Sequence, residues 1–197
     1  VVESSPMQQP IRGTMVESRH AGLLTIIVPR HPDRAPAIVS LLKAKGLNVA
    51  RRSAGEAITD ETQVYLGDTI GEMGLYLRLT EIAFVGRSLT STGGQNPLEP
   101  AALETAVLAG PNVQNFRDSY KRLIDDGNAR LVKDKEMLAA GVGYLLGNEP
   151  VRRKMMEAGV AAVTAMQGSL AKTMATLEPY IQPLVVKAGL DRLTGKR

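Results

Sequence analysis

Six short apolar runs, separated by stretches of helical character, constrain the fold of this chain more than any other feature. The runs are rich in Val, Ile, Leu and Ala and end at Gly, Pro or charged residues, which is typical of buried strands. Alternation of such strands with helices predicts an α/β fold, a Rossmann-like parallel sheet with helices on both faces. Strands are expected near 23–28, 47–51, 63–66, 82–86, 106–109 and 129–132, and helices near 34–45, 72–79, 98–104, 115–126 and 134–147.

The amino-acid composition excludes several classes of functional site. The chain has no cysteine, which excludes disulfides, thiolate metal sites and a thiol nucleophile. Its two histidines, His20 and His31, are too few for a His-rich metal site, so we expect no metal and no cofactor. Aromatic residues make up 4% with no Trp, which argues against a stacking platform for nucleic acid. The net charge of +4 is mild, and no apolar run is long enough to span a bilayer.

The segment Gly93 to Pro100 reads Gly-Gly-Gln-Asn-Pro-Leu-Glu-Pro and combines a glycine turn, a helix start and a carboxylate. Two glycines let a backbone approach a phosphate closely, and Asn96 followed by Pro97 is a favourable helix start. Glu99 is then placed to reach ribose hydroxyls, with the positive end of the helix directed at the ligand. The same residues also fit an ordinary turn followed by a helix without a ligand site. The strand predicted over Ile82 to Val85 favours a ligand site, because open α/β sheets bind ligands beyond the carboxyl ends of strands.

Two other predicted strands are followed by polar or glycine-rich segments. Arg30 follows the run that ends at Val28, and arginine is a natural partner of phosphate. A glycine-punctuated turn over 67–74 contains Glu72. Its glycines lack the spacing of a dinucleotide fingerprint, and the chain has no Gly-Lys-Ser/Thr for a P-loop. Read alone, Arg30 also fits a solvated surface residue, and Glu72 a first-turn carboxylate that serves the helix dipole.

Four ordered segments resemble the carboxy-terminal half of 3-deoxy-D-manno-octulosonic acid (Kdo) transferases. The resemblance extends from about Gly13 to Pro183 and implies a GT-B glycosyltransferase whose carboxy-terminal domain holds CMP-Kdo. It also implies that a separate amino-terminal domain holds the lipid A precursor and supplies the catalytic base. The segments are Val-Pro-Arg-His-Pro-Asp-Arg at 28–34, Gly-Asp-Thr-Ile-Gly-Glu-Met-Gly at 67–74, Ala-Phe-Val-Gly-Arg-Ser-Leu at 83–89 and Gly-Gly-Gln-Asn-Pro-Leu-Glu-Pro at 93–100.

The resemblance places the family's CMP contacts on nine residues and assigns no catalytic residue, cofactor or metal to this chain. Negative charge on the departing CMP would be met by Arg30, by the amides around Gly93 and Gly94 and by the helix that follows. The nine CMP-contacting positions are Pro29, Arg30, Ile70, Gly71, Glu72, Asn96, Pro97, Leu98 and Glu99.

We expect residues 1–197 to form a single nucleotide-sugar donor-binding domain, with a divergent leading segment at 1–22 and carboxy-terminal helices at 149–190. A second of these helices is predicted from about Ser169 to Leu177. We expect the family's acceptor domain and amino-terminal membrane anchor to be absent from this chain. The chain is therefore expected to be soluble and inactive alone, whereas the full-length protein would act at the cytoplasmic face of the bacterial inner membrane.

One departure from the family keeps other functions open. Where the family carries Ser-Thr-His-x-Gly-Glu-Glu, this chain reads Ser-Ser-Pro-Met-Gln-Gln-Pro at 4–10, without the histidine or either carboxylate. Three alternatives remain. The chain is the donor domain of another sugar-nucleotide GT-B or epimerase-like enzyme, which would prefer uridine over cytidine. It is a non-catalytic nucleotide-binding module, which would bind CMP without transfer. Or it is a structural domain that inherits the fold and binds no nucleotide.

Overall fold

The computed structural model of this protein describes residues 22–194, excepting the side chains at 169–172, 182 and 184–194. The described chain divides into two compact units between Ala162 and Val163. The divergent segment at 4–10 lies outside the described residues. The extent of the donor-binding domain over 1–197 stays a prediction.

All six predicted strands are confirmed, each within about two residues of the expected ends. They are short because each apolar run is closed at once by Gly, Pro or polar residues. The strands are β1 (Thr25–Ile27), β2 (Val49–Arg51), β3 (Val64–Leu66), β4 (Ile82–Val85), β5 (Ala106–Ala109) and β6 (Ala129–Leu131).

Hydrogen bonding divides these strands into two parallel sheets of three, where the sequence predicted one sheet. In the first sheet β3 is central, so that Val64 lies opposite both Thr25 of β1 and Val49 of β2. In the second sheet β5 lies between β4 and β6, with Val107 opposite Ala83. Strands of three or four residues make few ladder bonds, so the twist between neighbours is enough to interrupt a pairing.

Helices cover both faces of the first sheet, as predicted. Ile27 and Leu66 share one face and pack with Ile38 of α1, whereas Ile26 lies on the opposite face and packs with Tyr76 of α2. The period of two along a strand produces this division. Within residues 22–148, the α-helices are α1 (Ala35–Lys43), α2 (Met73–Arg78), α3 (Leu98–Ala102), α4 (Arg117–Asp125) and α5 (Lys135–Gly147).

The last helix, α6 (Glu149–Thr194), contains Pro179 and Pro183. The prediction of a separate second helix near Ser169 is therefore wrong. A proline removes one hydrogen bond from a helix interior, but its φ is helical, so a long helix can include it at the expense of a local kink. No helix in the described part of the chain combines the length and apolar character that crossing a membrane requires.

Candidate functional site

A cleft of about 290 Å³ lies at the carboxyl ends of β1 and β4, one strand from each sheet. Val28 directly follows β1 and Val85 ends β4, and both line the cleft. The lining combines buried apolar side chains such as Phe84 with the exposed Arg30 and Glu99. Its position agrees with the predicted one, because ligands of open α/β sheets bind beyond the carboxyl ends of the strands.

Six of the nine positions predicted to contact nucleotide line this cleft. They come from three loops that are far apart in sequence, which is the outcome expected if the motifs build one site. The other three, Glu72, Pro97 and Leu98, lie beside the lining residues without belonging to them. The six that line the cleft are Pro29, Arg30, Ile70, Gly71, Asn96 and Glu99.

Arg30 and Gln95 meet at the cleft although they are 65 positions apart in sequence. Arg30 Nη1 donates a hydrogen bond of 3.0 Å to Gln95 Oε1. The backbone carbonyl of Gln95 accepts a bond of 3.2 Å from the hydroxyl of Tyr120, whose side chain is fully buried. Burial raises the pKa of that hydroxyl, so it remains a donor. The sequence analysis assigned no role to Gln95. Its position between the glycine turn and Asn96 was the feature that could have identified it as a site residue.

Gly93 and Gly94 are buried and pack against the loop after β5, not against the cleft. Their φ values are +106° and +71°, and a Cβ on Gly94 would lie 2.9 Å from the carbonyl oxygen of Asn112. Gly93 N already donates to Gln114 Oε1 at 3.1 Å, and Gly93 O accepts from Asn115 N at 3.0 Å. The Gly93 amide is thus engaged within the protein, and the predicted role of the amides around Gly93 and Gly94 toward a phosphate stays a prediction. The glycines are required by backbone conformation and close packing.

A buried serine ties the end of β4 to the end of β5. Ser88 Oγ donates to the carbonyl of Val85 at 2.6 Å and accepts from Gly110 N at 2.8 Å. The carbonyl of Ser88 accepts from Asn112 N at 2.9 Å. A Cβ on Gly110 would lie 2.1 Å from the Ser88 carbonyl oxygen, so only glycine fits this approach. The loop after β4 is thus held in place by neutral contacts.

The start of α3 places Asn96 and Glu99 at the cleft. Asn96 Oδ1 accepts a bond of 3.0 Å from Leu98 N, although the N-cap of α3 is Pro97, one residue later than predicted. Pro97 already has helical dihedral angles, and its carbonyl accepts from Ala101 N at 3.2 Å. Pro97 is fully buried, whereas Glu99 is exposed in the first turn. With five residues, α3 is too short for the strong helix dipole that the sequence argument used.

The loop after β3 brings Ile70 and Gly71 to the cleft. Gly71 has a φ of +88°, and Ile70 is 86% exposed. An apolar side chain this exposed beside a cleft is available to cover a ligand. Gly67 starts the loop, and a Cβ there would lie 2.6 Å from the ring of Tyr76, which fixes how closely the loop approaches α2.

The carboxylate of Glu72 is engaged within this loop. It accepts hydrogen bonds from Arg52 Nη2 at 2.7 Å, from the hydroxyl of Thr69 and from Tyr76. The bond from Arg52 is the main reason that the pKa of Glu72 is lowered to about 2, with the bond from Thr69 next. The same bond raises the pKa of Arg52. Glu72 therefore fixes the loop and remains ionised over the physiological range.

Asp68 anchors the start of the same loop from inside the protein. Its side chain is 1% exposed and accepts from Arg51 Nη2 at 2.7 Å, from Ser53 N at 2.8 Å and from Ser53 Oγ at 2.7 Å. Burial acts to raise the pKa of Asp68, but the bonds from Ser53 and Arg51 outweigh it and lower the pKa. The carboxylate is thus ionised and fully partnered.

These groups equip the cleft for binding an anionic, hydroxyl-bearing ligand. Arg30 supplies a cation for a phosphate, and Glu99 supplies an acceptor for hydroxyls. Among the described residues that line the cleft, Glu99 is the only carboxylate, and no second titratable group is placed to work with it as an acid–base pair. The arrangement favours holding a ligand over transferring protons.

The fold and the place of the cleft define a class, the carboxy-terminal Rossmann-like domain of a GT-B glycosyltransferase. The structure is similar to the C-terminal CMP-Kdo binding domain of WaaA from Acinetobacter baumannii, with a TM-score of 0.74 and 27% identity. The match covers 82% of this chain and 86% of that chain. The predicted fold class is confirmed.

Within that class, the chain is a relative of the 3-deoxy-D-manno-octulosonic acid transferases. It is 34% identical to the enzyme of Haemophilus influenzae over 166 residues and 36% identical to that of Bordetella pertussis over 159 residues. These matches cover 84% and 80% of this chain but only 39% and 37% of the relatives, so the chain spans about two fifths of their length. No protein-family profile matches the chain. The family resemblance seen in the sequence is confirmed.

Proposed function

We propose that this chain is the donor-binding domain of a Kdo transferase, which holds CMP-Kdo for transfer of Kdo to a lipid A precursor in lipopolysaccharide biosynthesis. The observation that carries the proposal is the convergence of six motif residues on one cleft. The relatives from Haemophilus influenzae and Bordetella pertussis are Kdo transferases, and a similar domain of known structure is a CMP-Kdo binding domain. Fold, family and cleft chemistry thus favour the same ligand.

In this proposal the cleft stabilises CMP as the leaving group. The bond between the anomeric carbon of Kdo and the phosphate oxygen breaks with its electron pair going to CMP, and the acceptor hydroxyl forms the new bond. Arg30 meets the charge on the phosphate, and Glu99 accepts hydrogen bonds from the ribose hydroxyls. Ile70 and Gly71 border the nucleotide from the opposite loop. Arg30 is already held by its bond to Gln95 before the ligand arrives, which lowers the free energy of reorganisation at that group.

The remaining predicted contacts shape the site without lining it. Pro97 and Leu98 set the path of the chain between the lining residues Asn96 and Glu99, and Glu72 holds the turn at Gly71. Pro29 lines the cleft beside Arg30. We propose that mutation of these residues weakens binding by moving the groups that touch the nucleotide.

We propose that acceptor binding and the catalytic base belong to an amino-terminal domain of the kind that the family resemblance implies. That domain would take the proton of the acceptor hydroxyl, and an associated anchor would place the full-length enzyme at the cytoplasmic face of the bacterial inner membrane. The cleft of the present chain contains no acid–base pair among its described residues, which supports this division. The chain alone then binds donor without transferring Kdo.

Titration of the chain with CMP, and with UMP for comparison, tests the proposal. We expect CMP to bind more tightly than UMP, and Glu99→Gln to weaken CMP binding about tenfold, the effect of losing a hydrogen bond to a charged group. Glu61→Gln is the matched control, because it makes the same chemical change at an exposed turn before β3. Equal binding of CMP and UMP would favour another sugar-nucleotide enzyme. Absence of nucleotide binding would contradict the proposal.

A non-catalytic nucleotide-binding module is the second candidate, and the departure at 4–10 favours it. The segment lacks the histidine and the two carboxylates that the family carries there. Joining this chain to the amino-terminal half of a Kdo transferase and assaying Kdo transfer separates the two functions. Transfer supports the donor domain of an enzyme, whereas tight CMP binding without transfer supports the module.

A further inference from the structure

We propose that Gln95 is a recognition residue of the cleft, acting as a pair with Arg30: its Oε1 holds the guanidinium and its Nε2 donates to a phosphate oxygen of the bound nucleotide. The inference rests on the proposed function, since it names how that site selects phosphate. Gln95 is not among the nine positions that the family resemblance implies.

The bond to Arg30 fixes the orientation of the Gln95 amide. A guanidinium has donors and no acceptor, so the atom of Gln95 that lies 3.0 Å from Arg30 Nη1 must be the oxygen. The other end of the amide is then Nε2, which carries two N–H donors. The side chain is also fixed at its base, because the Gln95 carbonyl accepts from the buried Tyr120 hydroxyl. Gln95 thus presents a donor in a defined place.

That donor is buried and has no hydrogen-bond partner among the described residues. Buried side-chain donors are almost always partnered, and leaving one unpaired is unfavourable. Gln95 lines the cleft together with Arg30 and Asn96, and a ligand oxygen bound in the cleft is the acceptor that the proposal assigns to this donor. A phosphate provides several such oxygens within reach of both Arg30 and Gln95.

The neutrality of Gln95 preserves the charge of the pair. Arg30 and Gln95 together carry +1, because the amide holds the guanidinium without cancelling it. A glutamate at this position would keep the contact with Arg30, neutralise the pair, remove the Nε2 donor and repel a phosphate. The residue at position 95 therefore determines how strongly the cleft prefers a nucleotide over the corresponding nucleoside.

The experiment compares CMP with cytidine as probes, by calorimetric titration of the chain and its variants. We expect Gln95→Glu to weaken CMP binding about tenfold or more while cytidine binding changes little, because only CMP carries the phosphate. Gln95→Ala is expected to lower CMP affinity less, about threefold to tenfold, since it removes the donor but leaves Arg30 charged. Gln167→Glu is the matched control, because Gln167 is exposed in α6 and does not line the cleft.

The ratio of cytidine to CMP dissociation constants separates recognition from damage to the fold. A loss of structure in the variants would weaken both probes together, and thermal melting checks it independently. An unchanged ratio in Gln95→Glu, with the unmodified chain still binding CMP, would overturn the role of Gln95 and leave the proposed function standing. If the unmodified chain binds neither CMP nor cytidine, the proposed function is contradicted, and so is the proposed role of Arg30 and Gln95.

Discussion

The loops after β3 and β4 both supply the cleft, but they are held by different kinds of interaction. The loop after β3 is fixed by ionised carboxylates, with Asp68 bound to Arg51 and Glu72 bound to Arg52. The loop after β4 is fixed by neutral contacts, in which Ser88 joins two strand ends and buried glycines pack against a neighbouring backbone. The difference predicts that pH disturbs the first loop and added volume disturbs the second.

The largest expected effect is steric and falls on the neutral loop. Gly110→Ala would place a methyl group 2.1 Å from the Ser88 carbonyl oxygen, which is backbone and cannot rotate away. We expect the free energy of unfolding to fall by about 3 kcal/mol or more, measured by urea denaturation. Gly143→Ala in α5 is the control, because a Cβ there meets nothing within 4 Å and is expected to stabilise by roughly 0.5–1 kcal/mol. A small loss for Gly110→Ala would show that this approach of β4 and β5 is adjustable.

A smaller effect is expected from the charged loop, and it depends on pH. Asp68→Asn leaves Arg51 with a weaker acceptor at a buried site, and we expect a loss of about 2 kcal/mol at neutral pH. The pKa of Asp68 is lowered in the folded protein, so its stabilisation is present above the unfolded value of about 4 and is lost as pH falls through the folded value. The difference between the variant and the original chain should therefore shrink on acidification below about pH 4.

Denaturation curves from neutral to acid pH measure that difference. Asp60→Asn at an exposed turn serves as the control and should leave the curves together. A difference between Asp68→Asn and the original chain that persists unchanged into acid would mean that the carboxylate is needed for its shape and hydrogen bonds, not for its charge. The division between a charged and a neutral loop would then have to be abandoned.

The smallest effect concerns the backbone of the neutral loop. Arg87 directly follows the cleft residue Gly86 and has a φ of +55°, in the left-handed region that favours glycine. Arg87→Gly is expected to stabilise by roughly 0.5–1 kcal/mol, measured by thermal melting. Arg117→Gly should have the opposite sign, because Arg117 begins α4 with a φ of −50°. Destabilisation by Arg87→Gly would indicate that the Arg87 side chain contributes more than its backbone strain removes.

Local patterns in the sequence were sufficient to predict most of the secondary structure. A few consecutive apolar residues mark each strand, and alternation with helices was enough to predict a parallel sheet with helices on both faces. The division into two sheets was not predictable, because it depends on how far strands diverge in space. The course of α6 through Pro179 was missed as well, since a proline signals a possible end of a helix and not a certain one.

Site residues were predicted correctly where a local pattern, such as the end of a strand or the start of a helix, places them at the cleft. Contacts between residues far apart in sequence were not predicted. Arg30 and Glu99 follow strands or begin helices, and both line the cleft. The bond between Arg30 and Gln95 joins residues 65 positions apart, and that between Arg52 and Glu72 joins residues 20 apart. Neither pair has a local pattern. The two glycines of the motif were identified in the sequence, but their packing against Asn112 and Asn115 is visible only in the folded structure.

No ladder hydrogen bonds join the two sheets among the described strands, yet the cleft takes Arg30 and Ile70 from one sheet and Glu99 from the other. A ligand that touches all three residues would link the two sheets through its own contacts. Its binding would stabilise the folded protein by an amount that grows with the logarithm of the ligand concentration once that concentration exceeds the dissociation constant. A cell with little of the ligand would then hold a less stable protein, so that the lifetime of the protein would follow the supply of the ligand.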